Sequence, residues 1–124
     1  MKKSVFSPDA PKPIGPYSQA IEYGGMIFTS GQVSLNAEGA ITPDDVAGQT
    51  KNVLSNLKNI LESQGSSLDK VIKTTVFLKD MNDFAKMNEV YAQFFTELPP
   101  ARSTIEVARL PKDAKVEIEV TAYT

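Results

Sequence analysis

Arg102 and Glu117 are the side chains best suited to chemistry in this sequence. They stand in two strand-like runs within Pro100 to Glu119, expected to lie side by side across one compact turn. A guanidinium is a planar fork that keeps its charge when partly desolvated and matches a carboxylate with two parallel hydrogen bonds. A glutamate facing a cleft has its pKa raised by desolvation and can hold or deprotonate an attacking water. The pair therefore reads as a site for a small acid with hydrolytic capacity. Strand alternation puts Arg102, Thr104 and Glu106 on one side and Ser103, Ile105 and Val107 on the other, while Glu117 and Glu119 lie opposite Val116, Ile118 and Val120. An arginine and a carboxylate are expected to meet on one sheet face. Spacing alone leaves plainer readings open: Arg102 paired with a surface carboxylate, and the two glutamates as the solvated edge of an amphipathic strand.

Other residues invite weaker readings. Tyr17 follows Gly15-Pro16, which fixes the backbone and can aim the phenol into a cleft. Ser30-Gly31 offers a hydroxyl and a close backbone approach at a strand end. A packed aromatic and an ordinary turn explain these equally well. Asn88 falls on the apolar side of a helix near Met87 and Tyr91, where an amide needs partners; it can orient a site or make a structural hydrogen bond. Arg109 reads as a surface or interface residue.

The elements that must position these groups follow from pattern. Four prolines and a glycine between Ser7 and Pro16 deny backbone donors and predict a looping arm. Ala20–Tyr23 and Met26–Thr29 flank Gly24-Gly25, a hairpin signal. Val46, Val53, Leu54, Leu57, Ile60 and Leu61 recur at helical spacing, with Thr42-Pro43-Asp44-Asp45 supplying a cap and Gly65 a stop. A β-branched strand is predicted over Val71–Leu78, a helix over Asp83–Phe95, and two last strands after Pro99-Pro100. With Lys2–Phe6 pairing as well, the order is β-β-β-α-β-α-β-β. This is an α+β domain spanning residues 1–124, with a mixed, mostly antiparallel sheet and both helices on one face. The other face, carrying Thr74, Val76, Leu78, Glu117 and Glu119 or their neighbours, is too apolar in part to leave in water, so an oligomer is expected.

Composition removes whole classes of mechanism. The 124 residues include no cysteine and no histidine, which excludes disulfides, thiol nucleophiles, Ser-His-Asp triads and nearly all zinc, haem or iron–sulfur sites. Any catalysis must rest on carboxylates, hydroxyls, lysine, arginine and backbone groups. With 13 Lys+Arg against 15 Asp+Glu and no basic run, nucleic acid is a poor partner. Lys2-Lys3 is followed by no apolar run, and no segment reads as a membrane span, so a cytoplasmic protein without an appended tail is expected.

Four separated blocks, Ile14-Gly15-Pro16-Tyr17-Ser18-Gln19-Ala20, Phe28-Thr29-Ser30-Gly31-Gln32, Asn82 through Phe95, and Pro100 through Glu119, together resemble the RidA (YjgF) family of reactive-intermediate imine deaminases nearly end to end. The resemblance implies a chorismate-mutase-like fold and a homotrimer with ligand sites in the clefts between subunits. It implies hydrolysis of 2-iminobutanoate and 2-iminopropanoate to 2-oxo acids and ammonia, with no metal or organic cofactor required. It selects Arg102 as the grip on the substrate carboxylate and Glu117, rather than Glu119, as the group positioning water. It also places Tyr17, Ser30, Gly31, Asn88 and Thr104 in substrate binding. Many relatives carry cysteine where this chain has Thr104, so no thiol role is available here. Two rivals remain: a non-catalytic module that binds 2-oxo acids, and an RNA-cleaving translation inhibitor, which the missing histidines and acidic balance disfavour.

Overall fold

In a computed structural model, which describes residues 1–124, six strands and two main helices appear in the expected order: β1 (Lys3–Val5), β2 (Ala20–Tyr23), β3 (Met26–Thr29), α1 (Val46–Glu62), β4 (Val71–Leu78), α2 (Phe84–Phe94), β5 (Ala101–Glu106) and β6 (Val116–Tyr123). Gly24 and Gly25, both at positive φ (59° and 77°), turn β2 into β3 at no steric cost. The Asp45 carboxylate accepts the Gly48 N–H at 2.9 Å and starts α1. Past its last residue the chain turns through Gly65, at φ 77°, with the Ser66 N–H donating back to Leu61. Helix α2 begins one residue later than expected, after a single 3₁₀ turn at Met81–Asp83.

The sheet order is β1-β2-β3-β6-β4-β5, with every neighbouring pair antiparallel except β4 and β5. Both helices cover one face. Val53, Leu54, Leu57, Ile60 and Leu61 of α1, with Met87 and Tyr91 of α2, close on Val76, Leu78, Val116, Ile118 and Val120 in one continuous core. Leu57 is fully buried, and its truncation to Ala would cost about 2–5 kcal/mol. No helix is long and apolar enough to cross a membrane.

Two expectations are corrected by this topology. First, β5 and β6 are not neighbours, because β4 lies between them. The apolar sides of β4 and β6 form the floor under the helices when adjacent, which leaves the more polar β5 at the edge. The connection 107–115 wraps the end of β4, with the Val107 N–H donating to Leu78 and the Lys79 N–H to Lys115. Exposed Arg109 lies on this connection. Second, Thr74, Val76 and Leu78 belong to the helix side. The uncovered face instead carries Glu117 and Glu119 with their neighbours Lys73, Thr75 and Phe77. Tyr23, Phe28, Ile105 and Tyr123 are exposed, so the second face is apolar in part, as expected.

Candidate active site

Parallel pairing of β5 with β4 sets Arg102 opposite Thr74 and Thr104 opposite Val76, so both point to the helix side. At an edge strand the helix layer thins out, which lets a long side chain bury its stem and bring its head to the rim. The Arg102 Nη1 donates to Asn88 Oδ1 at 2.7 Å. The guanidinium carbon lies 4.6 Å from the centre of the Tyr91 ring and 5.5 Å from that of Phe84. Tyr91 Oη and Thr74 Oγ1 share a buried hydrogen bond of 2.8 Å. Burial holds the Tyr91 phenol above its ordinary pKa, although Thr74 and Arg102 act in the opposite sense. A cleft of about 390 Å³, lined by Asn88, Tyr91, Ala92, Phe95, Pro99, Pro100 and Arg102, opens beside the head group. Arg102 takes part in neither of the two ion pairs, Lys58–Glu62 and Lys79–Asp113. The pairing with a surface carboxylate that spacing allowed is therefore not made, and the guanidinium has no counter-ion within the chain. Thr104 Oγ1, two residues along, is buried without a hydrogen-bond partner.

Glu117 lies on the opposite face, in register with Phe77. The chain after β3 runs beside β6, where Gln32 and Ile118 exchange backbone hydrogen bonds of 2.9 and 3.2 Å. This brings Gly31 against Glu117. A Cβ on Gly31 would stand only 2.5 Å from Glu117 Oε2 and 2.8 Å from its Cδ, so glycine is what admits the carboxyl group there. Desolvation raises the Glu117 pKa, and the nearby negative charge of Glu119 raises it further. Tyr17 is 48% exposed and its Oη accepts the Ile14 N–H at 3.4 Å. Tyr17 and Gly31 share a small crevice of about 30 Å³ with Pro11, Lys12 and Gln32. The Ser30 hydroxyl donates to the Ser18 carbonyl at 2.6 Å and is committed to holding the loop.

The candidates thus fall into two groups. Asn88, Arg102 and Thr104 occupy the helix side, whereas Tyr17, Gly31 and Glu117 gather near the other face. Arg102 and Glu117 do not meet on one sheet face, contrary to the alternation-based expectation. Tyr91 and Phe84, on the apolar side of the second helix, and Thr74, expected on the other sheet face, prove to surround or support Arg102. Their signal was the spacing of Phe84, Asn88 and Tyr91, which puts all three on one flank of a helix. Buried Gln19, whose side chain bonds to Ser7 and Pro11 and ties down the proline-rich arm, carried no such signal. No cluster of three acidic side chains able to hold a metal ion is present.

Fold and site define an α+β domain with an unpaired arginine cleft on one side of its sheet and a desolvated carboxylate on the other. The family model described as Endoribonuclease L-PSP matches residues 7–124. A RutC family protein of Pyrococcus horikoshii is 57% identical over 124 residues, covering 99% of this chain and 98% of the relative. The 2-iminobutanoate/2-iminopropanoate deaminase of Escherichia coli K12 is 50% identical over 125 residues, covering 98% of each. The crystal structure of E. coli TdcF with bound serine matches with a TM-score of 0.93 at 47% identity, again over 98% of each chain. The chain belongs to the YjgF/RidA family.

Proposed function

We propose that this protein hydrolyses 2-imino acids, chiefly 2-iminobutanoate and 2-iminopropanoate, to the 2-oxo acid and ammonia. It does so as a cytoplasmic homotrimer whose sites lie between subunits. The observation that carries this reading is the Arg102 guanidinium, oriented by Asn88 and without a counter-ion, beside an open cleft. The 50% identity to a protein named for this activity supports the choice of reaction.

In this reading the Arg102 N–H groups not used by Asn88 take the substrate carboxylate, and buried Thr104 Oγ1 gains a partner there. Glu117 and Gly31 come from a second copy, because one chain holds them on the far side of its own sheet. Glu117 accepts a proton from water as the oxygen attacks C2 of the imine, and the C=N π electrons go to nitrogen. Glu117 returns that proton to nitrogen, giving the carbinolamine; transfer of the hydroxyl proton to nitrogen, with the C–N bond breaking as the oxygen lone pair forms C=O, then releases ammonia and the 2-oxo acid. A raised pKa makes Glu117 a stronger base than an ordinary carboxylate once ionised. Tyr17 shares the Gly31 crevice and frames the site, and Ser30 holds the loop that presents Gly31. No metal or cofactor enters any step.

The test generates 2-iminobutanoate in situ with threonine dehydratase in the presence of semicarbazide, which traps unhydrolysed imine. Faster release of 2-oxobutanoate and less trapped imine than in a protein-free control are expected; equality with that control would overturn the activity. Serine bound to TdcF favours a second reading, a module that binds small 2-oxo or amino acids without turnover. Saturable 2-oxobutanoate binding with no acceleration of imine hydrolysis would select it. The description of the family as an endoribonuclease supplies a third. With no histidine and a net charge of −2, no RNA binding is expected even at low salt, and salt-sensitive binding would revive it.

A further inference from the structure

We infer that Tyr91, anchored by Thr74, is a positioning residue for Arg102: its ring fixes the plane of the guanidinium, and Asn88 then fixes the direction in which the fork faces. The inference rests on the reading that Arg102 holds a carboxylate. Arginine is a long, rotamer-rich side chain, and a single hydrogen bond leaves its head group free to swing about that bond. The 2.7 Å contact with Asn88 is one such bond. A ring face 4.6 Å from the guanidinium carbon removes the remaining freedom, because a planar cation lies best along an aromatic face.

The platform is itself immobile. Tyr91 is 5% exposed, its ring centre lies 4.7 Å from that of Phe95, and its hydroxyl is bonded to Thr74 Oγ1 at 2.8 Å. Thr74 is fully buried on β4 directly opposite Arg102 in the strand register, so one strand residue braces the ring and sets its distance from the next strand. A hydroxyl at that core position has no partner other than Tyr91. Burial keeps the phenol protonated, so the platform is a neutral ring and does not change with pH in the working range.

Only two arginines, Arg102 and Arg109, occur in the chain, so the Nε–H region of a ¹⁵N-labelled spectrum carries two signals that Arg109→Lys assigns. Ring current should shift the Arg102 signal upfield in the wild type. The shift should persist in Tyr91→Phe and shrink in Tyr91→Leu to the smaller contribution of the more distant Phe84 ring. Titration with 2-oxobutanoate should show about tenfold weaker binding for Tyr91→Leu, but a change within about threefold for Tyr91→Phe. The same pattern should appear in KM with kcat little altered. An unshifted Arg102 signal in the wild type would overturn the inference by itself, whether or not the Leu variant folds. Equal losses in the Phe and Leu variants would overturn it too, since a purely structural role of the hydrogen bond predicts them. A shifted signal that 2-oxobutanoate does not perturb would instead refute Arg102 as the carboxylate grip and leave its placement by Tyr91 standing.

Discussion

Arg102 is surrounded by groups that fix it, with Asn88, Tyr91 and Phe84 about its head. Glu117 stands against the bare Cα of Gly31, and burial and the charge of Glu119 both oppose its ionisation. The first arrangement suits a binding group, whose value lies in having little freedom left to lose. The second suits a base, whose reactivity depends on being poorly stabilised as an anion. Arg102 and the groups that hold it lie within one chain, whereas Glu117 faces an uncovered sheet surface. In the proposed mechanism, a second chain covers the apolar residues exposed on that surface and brings the substrate to Glu117.

Glu117→Gln should have the largest effect, because it removes the base and leaves the grip. Turnover should fall on the order of a hundredfold or more while 2-oxobutanoate binds as in the wild type. Unchanged turnover would reduce Glu117 to a packing role and end the contrast. Wild-type rate should fall with acidification through the raised Glu117 pKa. Stability runs the other way: a carboxyl group whose pKa is raised on folding binds more protons folded than unfolded, so it penalises the folded state as pH rises through that window. Glu117→Gln should therefore gain in Tm over the wild type at neutral pH, and the gain should disappear in acid. A constant difference across pH would contradict the desolvated state of Glu117.

Arg102→Ala should lower kcat/KM by roughly tenfold to a hundredfold, given about 1.5–3 kcal/mol for each charge-assisted hydrogen bond, and should weaken 2-oxobutanoate binding in parallel. Loss of kcat with unaltered binding would give the two halves the opposite roles. Gly31→Ala forces the Glu117 carboxyl group aside without touching the arginine cleft, so kcat should fall about tenfold with ligand affinity preserved. The smallest change is expected of Thr104→Val. Removing a buried, unpartnered hydroxyl should stabilise the unliganded fold by up to about 1 kcal/mol by denaturant titration, and weaken 2-oxobutanoate binding by a few-fold. Tighter binding would remove Thr104 from the site.

The sequence carried the elements well and the faces unevenly. Gly24-Gly25, Asp45 and the spacing of Val53, Leu57 and Ile60 are local signals, and each marks the element it predicted. The side taken by Glu117 was legible too, because Val116, Ile118 and Val120 make the other side of β6 unmistakably apolar. On β5 neither side is apolar throughout. Ile105, the residue that would ordinarily mark the core side, is 44% exposed, and Arg102 and Thr104 turn inward instead. That choice depends on β5 pairing parallel to β4 rather than folding back on β6, a long-range decision with no local signature. Tyr91 remained hidden for the same reason: a ring at core spacing becomes a platform only once Arg102 is known to lie over it.

Subunit complementation tests the division of the site most directly. Arg102→Ala and Glu117→Gln proteins, each expected to keep at most about a tenth of wild-type activity, would be mixed in equal amounts, unfolded and refolded together, and assayed for 2-oxobutanoate release at low substrate. If Arg102 of one chain works with Glu117 of the next, random assembly should restore about a quarter of wild-type activity, since one interface in four pairs two intact residues. Refolded mixtures no more active than the separate variants would contradict the shared site.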